Sequence, residues 1–234
     1  MAGRSVNSIF PAAMDEMLSR PLSDPDEARI HHHLRAQEPA EDEEDDQEGE
    51  GKKGEGDAVT QQFLKTRTVL LTGEVNKSLA ERVIRQVLLL EQENEDPIKV
   101  FIDSPGGDAD AGFAILDMMR FVKPSVIMIG MGLVASAGAI ILLASPKEQR
   151  FALPNSRYLI HQPAAGFRGV ATEIEIHARE MDLMRQKANE LIASETGKSV
   201  ADVEKDTDRD YWMSAEEAIA YGLVGKVVHS QDDL

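Results

Sequence analysis

Residues 125–145 read SVIMIGMGLVASAGAIILLAS, a run of 21 residues without a charged side chain. The run is long enough to cross a bilayer as a helix, but its pattern favours a different structure. Residues 126–129 are typical of a buried strand, residues 130–135 are rich in glycine and predict a turn, and residues 139–144 predict a helix that Pro146 ends. Because all three parts are apolar, they must be buried on every side. The segment predicts the centre of a layered core, with a membrane span as the alternative.

Strands and helices alternate on both sides of this segment. Further strands are predicted at residues 68–72, 98–102, 150–152, 157–160 and 224–228. Further helices are predicted at residues 78–92, 109–121, 172–194 and 214–221. The longest helix begins with a capping box of Thr172 and Glu175, and its apolar stripe indicates core packing, with projection toward a second subunit as the alternative. Repeated βα units predict an α/β domain.

Composition divides the 234 residues and excludes several classes of function. The chain has 42 acidic and 25 basic side chains, a net charge of −17, which argues against binding the phosphates of nucleic acid. It has no cysteine, which excludes disulfides, thiolate metal sites and a cysteine nucleophile. Residues 1–58 hold 16 acidic and 6 basic side chains and include a tract almost without apolar residues. We therefore predict a disordered acidic extension at 1–58 and a folded domain at 59–234.

Two glycine-bearing turns follow apolar strands, where α/β folds place ligands. The first reads DSPGGD at residues 103–108 and could bind an oxyanion through main-chain N–H groups, or be a plain tight turn. The second reads GLVASAG at residues 132–138 and puts Ser136 at the start of a buried helix. Ser136 is either a nucleophile or an ordinary N-cap serine.

A nucleophilic serine needs a base and an orienting acid. Of the six histidines, His161 stands at the end of an apolar strand, whereas His177 lies among charged residues of the long helix. The acid remains open, because several aspartates cluster at residues 206–210 and the pattern does not choose among them.

Several motifs in order make the sequence resemble the ClpP family, the proteolytic subunits of the Clp protease. The resemblance covers residues 63–228. Its motifs are SPGG at 104–107, ALPNSR at 152–157, HQP at 161–163, ATEIEIHARE at 171–180, DTDRD at 206–210 and MSAEEAIAYG at 213–222.

The resemblance implies roles for particular residues. Ser136 matches the family nucleophile, His161 the general base and Asp210 the orienting acid. The main-chain N–H groups of Gly107 and Ala137 match the oxyanion hole. Asp208 and Arg209 match a pair that contacts an opposing ring.

The resemblance also implies an architecture and partners. We expect a ClpP/crotonase-like α/β fold with a protruding handle helix, in a homo-oligomer of two stacked heptameric rings that enclose a chamber. We expect an AAA+ Clp ATPase unfoldase to deliver unfolded protein substrates to this serine endopeptidase in the cytoplasm. No metal or other cofactor, no nucleic acid and no membrane are expected.

Two departures from the family pattern and two rival functions qualify this expectation. Family members often carry methionine where this chain has Ala137, and residues 57–62 replace a segment that usually contains tyrosine. A non-proteolytic ring subunit would lack a triad member, and an acyl-CoA enzyme on the related crotonase fold would not need Ser136 and His161 together.

Overall fold

The computed structural model describes residue 60 and residues 62–234 of the chain. The predicted disordered extension at 1–58 lies outside these residues. The strands are β1 (Thr68–Thr72), β2 (Ile98–Ser104), β3 (Val126–Ala135), β4 (Arg150–Ala152), β5 (Arg157–Ile160), β6 (Tyr211–Ser214) and β7 (Lys226–Val227). The helices are α1 (Lys77–Glu93), α2 (Ala109–Phe121), α3 (Ala137–Leu142), α4 (Ala171–Thr196), α5 (Val200–Asp206) and α6 (Ala215–Tyr221).

One parallel sheet in the order β1-β2-β3-β4-β7 forms the centre of the domain. Helix α1 shows how the sequence covers it: Asn76 caps its first turn by accepting from the N–H of Leu79 at 2.9 Å. The apolar side chains of α1 at helical spacing are buried against the sheet. The predicted α/β domain is therefore the observed one.

Strand β3 is longer than predicted, because residues 130–135 continue it instead of forming a turn. Gly132, at φ 53°, kinks the strand, and the carboxylate of Asp103 accepts from the N–H of Leu133 at 3.0 Å. The pairing with β2 shifts register at this point. The first half of β3 then pairs with β4 and the second half with β5. The bulge in β3 thus lets the last residues of the strand pair with β5 instead of β4.

Strand β5 is anchored by Tyr158, whose side chain is fully buried. The hydroxyl groups of Ser156 and Tyr158 are hydrogen-bonded at 3.0 Å, and burial raises the pKa of Tyr158 to about 12. The phenol sits against Gly130, where a Cβ atom would collide with its oxygen. This contact fixes β5 against the bulged strand β3.

Helix α4 projects from the domain over its N-terminal half. Its buried residues are Asn189, Ile192 and Ala193, all near the C-terminal end. In the predicted apolar stripe, Ile174 is 42% exposed and Ala178 is exposed, and the later members, up to Leu191, are only half-buried. Core packing was therefore the wrong expectation for most of the apolar stripe, and the alternative of a projecting helix is observed. The predicted capping box of Thr172 and Glu175 is also wrong, since Val170 is the N-cap and its N–H donates to Glu173.

Other differences concern element ends and two short elements. Helix α3 begins and ends two residues before its predicted position, because its first turn includes the small residues that follow Ser136. Helix α5 and strand β6 lack a strong pattern in the sequence and were not predicted. The predicted strand at 224–228 is reduced to Lys226–Val227. In the part of the chain that the structure describes, no helix combines the length and apolarity that crossing a membrane requires.

Candidate active site

Ser136 lies at a sharp turn between β3 and α3. Its backbone torsions, φ 53° and ψ −120°, are strained for a residue with a side chain. It occupies the N-cap position of α3 but makes no side-chain cap hydrogen bond. Its hydroxyl lies instead 2.9 Å from Nε2 of His161. Such a strained turn between a strand and a helix exposes a serine hydroxyl to a ligand.

Strand pairing brings His161 beside Ser136. Strand β5 runs parallel to the end of β3 with Ala135 opposite Leu159, and the N–H of Ser136 donates to the Leu159 carbonyl at 2.9 Å. His161 follows the last residue of β5, so its ring lies next to the residue that follows β3. The predicted serine and histidine are therefore adjacent, with the imidazole 28% exposed.

The antiparallel pairing of β5 and β6 brings Asp210 to the other ring nitrogen of His161, Nδ1. Ile160 pairs with Tyr211, so the next pair outward is His161 and Asp210. Oδ1 of Asp210 lies 3.1 Å from Nδ1 of His161. Among the aspartates of residues 206–210, this position is the one bonded to the ring, a choice that the sequence pattern left open.

The two contacts of His161 determine which of its ring nitrogens carries the hydrogen. A carboxylate only accepts hydrogen bonds, so Nδ1 of His161 carries the hydrogen that faces Asp210. Nε2 then has a free lone pair toward the hydroxyl of Ser136. In this tautomer the imidazole is ready to accept the serine proton.

The segment that carries Asp210 is held by Gln162, which sequence reasoning missed. The main-chain N–H of Gln162 donates to the Thr207 carbonyl at 2.7 Å, and its side-chain amide donates to the Asp208 carbonyl at 2.7 Å. Gln162 stands directly after His161, so the imidazole and the residue that supports the Asp210 segment are consecutive in the chain. In the sequence, the position of Gln162 within the HQP motif at 161–163 could have indicated this supporting role.

Gly107 and Ala137 both line the cavity beside Ser136. Ala137 is the first residue of α3, and the first N–H groups of a helix have no acceptor within it. Gly107 has φ 142°, and a Cβ atom there would collide with the Val75 carbonyl oxygen, so only glycine fits. The two residues thus present main-chain N–H donors from two separate turns.

The cavity at Ser136 has a volume of about 760 Å³ and is mainly apolar. Ser136, His161, Gly107 and Ala137 stand along it, and it extends between α2, α3 and the projecting helix α4. Its principal apolar side chains are Phe113, Ile140, Ile160, Met181, Met184 and Ile192. A pocket of this size has room for a large apolar side chain next to the Ser136 hydroxyl.

The remaining candidates lie at the surface. Asp208 and Arg209 have side chains 62% and 84% exposed, with 3.7 Å between their charged atoms. His177 is exposed, as its charged neighbours indicated, and stacks on Phe167 at the cavity rim with 4.8 Å between ring centroids. Within residues 60 and 62–234, no three His, Asp or Glu side chains cluster as metal ligands would.

Comparison with known proteins identifies the family. The sequence model of the Clp protease family matches residues 51–231. The chain is 56% identical over 192 residues to the ATP-dependent Clp protease proteolytic subunit 2 of Treponema denticola, covering 82% of this chain and 96% of the relative. It is 42% identical over 193 residues to the subunit of the same name from Pseudomonas aeruginosa, with the same two coverages.

A solved structure confirms the predicted fold. A mutant of ClpP1 from Listeria monocytogenes superposes with a TM-score of 0.70 at 51% sequence identity, covering 74% of this chain and 98% of that chain. The expected ClpP-like α/β fold is therefore observed. The chain belongs to the Clp protease family of serine peptidases.

Proposed function

We propose that this Clp-family peptidase cleaves peptide bonds with Ser136 as nucleophile, His161 as general base and Asp210 as orienting acid. The observation that carries the proposal is the hydrogen-bonded line from Asp210 through His161 to Ser136, at 3.1 and 2.9 Å. Three side chains from three strand ends stand in the order that serine hydrolysis needs.

Each side chain has one task in the proposed reaction. As the Ser136 oxygen attacks the substrate carbonyl, Nε2 of His161 takes the hydroxyl proton. Asp210 keeps the imidazole in the required tautomer and stabilises the imidazolium that forms. His161 then returns the proton to the leaving amine, and water, activated by the same imidazole, hydrolyses the acyl-enzyme.

The N–H groups of Gly107 and Ala137 stabilise the oxyanion of the tetrahedral intermediate. A donor of this kind lowers the barrier by about 3–4 kcal/mol in a serine peptidase. Because both are main-chain groups, the family difference at Ala137 leaves the donor in place. The glycine at position 107 is needed because its torsion leaves no room for a side chain.

The apolar cavity supports cleavage beside large apolar residues. We expect Ala188→Phe, which fills part of the cavity, to lower kcat/KM for a peptide with leucine at the cleavage site by about 10-fold. A matched peptide with alanine at that site should lose much less, because its side chain does not reach the filled part. The two values are measured with fluorogenic peptides.

The control variant is Ala201→Phe, which adds the same ring on the exposed side of α5. It should leave both peptides unaffected. An equal loss on both peptides in Ala188→Phe would contradict this assignment of the cavity.

Members of the Clp protease family work with Clp ATPases. We propose that this chain has such a partner, and we also propose how it assembles and what it cleaves. In the proposal, two stacked heptameric rings of this chain enclose the active sites, and an AAA+ unfoldase supplies unfolded proteins. Helix α4 supports ring pairing, because exposed apolar side chains on a projecting helix are covered when a second subunit packs on it. Asp208 and Arg209, both exposed, are proposed to contact the opposing ring. The cytoplasmic location stays a prediction.

The proposal is tested with the purified full chain and a short unstructured fluorogenic peptide. A small peptide needs no unfolding, so we expect hydrolysis without ATP and without an added metal. A serine-directed fluorophosphonate should abolish it, whereas a metal chelator should not. No hydrolysis by the assembled protein, or hydrolysis that persists after complete reaction with the fluorophosphonate, would contradict the proposed chemistry.

A further inference from the structure

Ser104 is a fully buried serine at the end of β2 that the proposed reaction does not use. Its hydroxyl oxygen accepts from the main-chain N–H of Gly106 at 3.1 Å. It also packs against the first turn of α3, since a Cβ atom built on Gly138 would lie 3.3 Å from the Ser104 Cβ. Ser104 therefore lies between the two turns that hold the oxyanion donors.

The turn that carries Gly107 does not fix its own shape. Gly106 has φ 95° and Gly107 has φ 142°, torsions that glycine enters and leaves at little cost. Contacts outside the two glycines, hydrogen bonds among them, therefore select the observed conformation.

Val75 provides the bonds on one side of this turn. The Val75 N–H donates to the Gly106 carbonyl at 2.8 Å, and the Val75 carbonyl accepts from the Asp108 N–H at 2.7 Å. The peptide between Gly106 and Gly107 is trans, so its N–H points opposite to its carbonyl. With the Gly106 carbonyl bonded to Val75, the Gly107 N–H is directed away from Val75.

Ser104 fixes the preceding peptide, the one that carries the Gly106 N–H. The Gly106 backbone lies so close to Ser136 that it has little space to move. A Cβ atom on Gly106 would lie 2.6 Å from the Ser136 Cβ and 3.1 Å from the Ala137 nitrogen. A small rotation of the Gly106 backbone thus changes the spacing between the Gly107 donor and the other groups of the site.

We propose that Ser104 is a positioning residue for the oxyanion hole. By binding the Gly106 N–H it holds the Gly107 N–H at the place where negative charge develops on the substrate. The inference rests on the proposed function, because it assigns Ser104 a part in the same reaction. Its effect is exerted through Gly106 and Gly107, without contact to the substrate.

The test compares Ser104→Ala with Ser145→Ala in the assembled full chain. Ser145 is a matched control, a buried serine after α3 whose hydroxyl donates to the Val126 carbonyl at 2.5 Å. Removing one oxyanion donor costs about 10²–10³-fold in kcat, so a displaced donor should cost about 10- to 100-fold. We expect this loss in Ser104→Ala with little change in KM, and near wild-type kcat in Ser145→Ala.

A second readout separates positioning from a general loss of structure. A peptide boronate forms a tetrahedral adduct with the nucleophile and uses the oxyanion donors, whereas the same peptide ending in an amide binds without them. In Ser104→Ala the affinity for the boronate should fall by about as much as kcat/KM, and the affinity for the amide should stay. Equal losses for both ligands, or a kcat equal to that of Ser145→Ala, would overturn the inference.

Ser104→Cys keeps the experiment decisive where Ser104→Ala fails to fold. Its sulfur nearly preserves the side-chain volume but is a weak acceptor, so a selective loss of boronate affinity is again expected. Unchanged boronate affinity in this variant would overturn the inference. A wild-type protein that neither hydrolyses peptides nor reacts with the boronate would overturn the proposed function and this inference together, whereas an active wild type with an unaffected Ser104→Ala overturns the inference alone.

Discussion

Ser136→Ala should abolish peptide hydrolysis, with a fall in kcat of about 10⁴-fold or more. The alanine has no oxygen to attack the substrate carbonyl, and His161 is left without the proton it would accept. Because the substitution removes one atom at the edge of a cavity, the fold should remain intact. Turnover of a fluorogenic peptide by the purified variant measures the effect.

Two controls accompany this variant. Native mass spectrometry should give the same assembly mass as the wild type, which separates lost chemistry from lost assembly. Ser145→Ala should retain activity, because Ser145 donates to a main-chain carbonyl outside the cavity. Substantial turnover by Ser136→Ala would show that another residue is the nucleophile.

Asp210→Asn should lower kcat by about 10³–10⁴-fold with a small effect on KM. An amide can present its NH₂ group to Nδ1 of His161, which favours the tautomer with the hydrogen on Nε2. Nε2 then faces the Ser136 hydroxyl with a hydrogen instead of a lone pair. The neutral amide also fails to stabilise the imidazolium that forms during attack.

Asp202→Asn is the matched control, since this exposed aspartate of α5 bonds to Ser199 and lies outside the cavity. It should leave kcat unchanged. If Asp210→Asn also retained wild-type kcat, Asp210 would not be the orienting acid, and the exposed aspartate Asp208 would become the next residue to substitute.

Local patterns in the sequence predicted the parts of the site that depend on single turns. The pattern marked Ser136 and His161 as candidates, because turns that follow apolar strands are where α/β folds place ligands. Their pairing came from the resemblance, since it depends on the contact between β3 and β5. The resemblance supplied Asp210, but the residue pattern could not, because the choice depends on the pairing of Ile160 with Tyr211. Strand β6 is too short to predict, and without it the register that selects Asp210 is absent.

The prediction was wrong in two places. In the first, glycines indicated a turn inside a strand, and in the second, an apolar stripe indicated burial that the tertiary structure does not provide. Gly130 and Gly132 indicated a turn, yet a bulge supported by Asp103 carries β3 through them. The apolar stripe of α4 indicated core packing, yet its first members, Ile174 and Ala178, are exposed on a projecting helix. Periodicity shows that a face is apolar, but it does not show whether the same chain or a neighbouring subunit covers it.

The site that reacts with a fluorophosphonate is the most direct test of the proposed chemistry. Such a reagent bonds covalently to a serine that an adjacent base activates. Peptide mapping by mass spectrometry should locate the adduct on Ser136, and His161→Ala should suppress its formation. An adduct on a different residue, or peptide hydrolysis by a protein that forms none, would contradict the account.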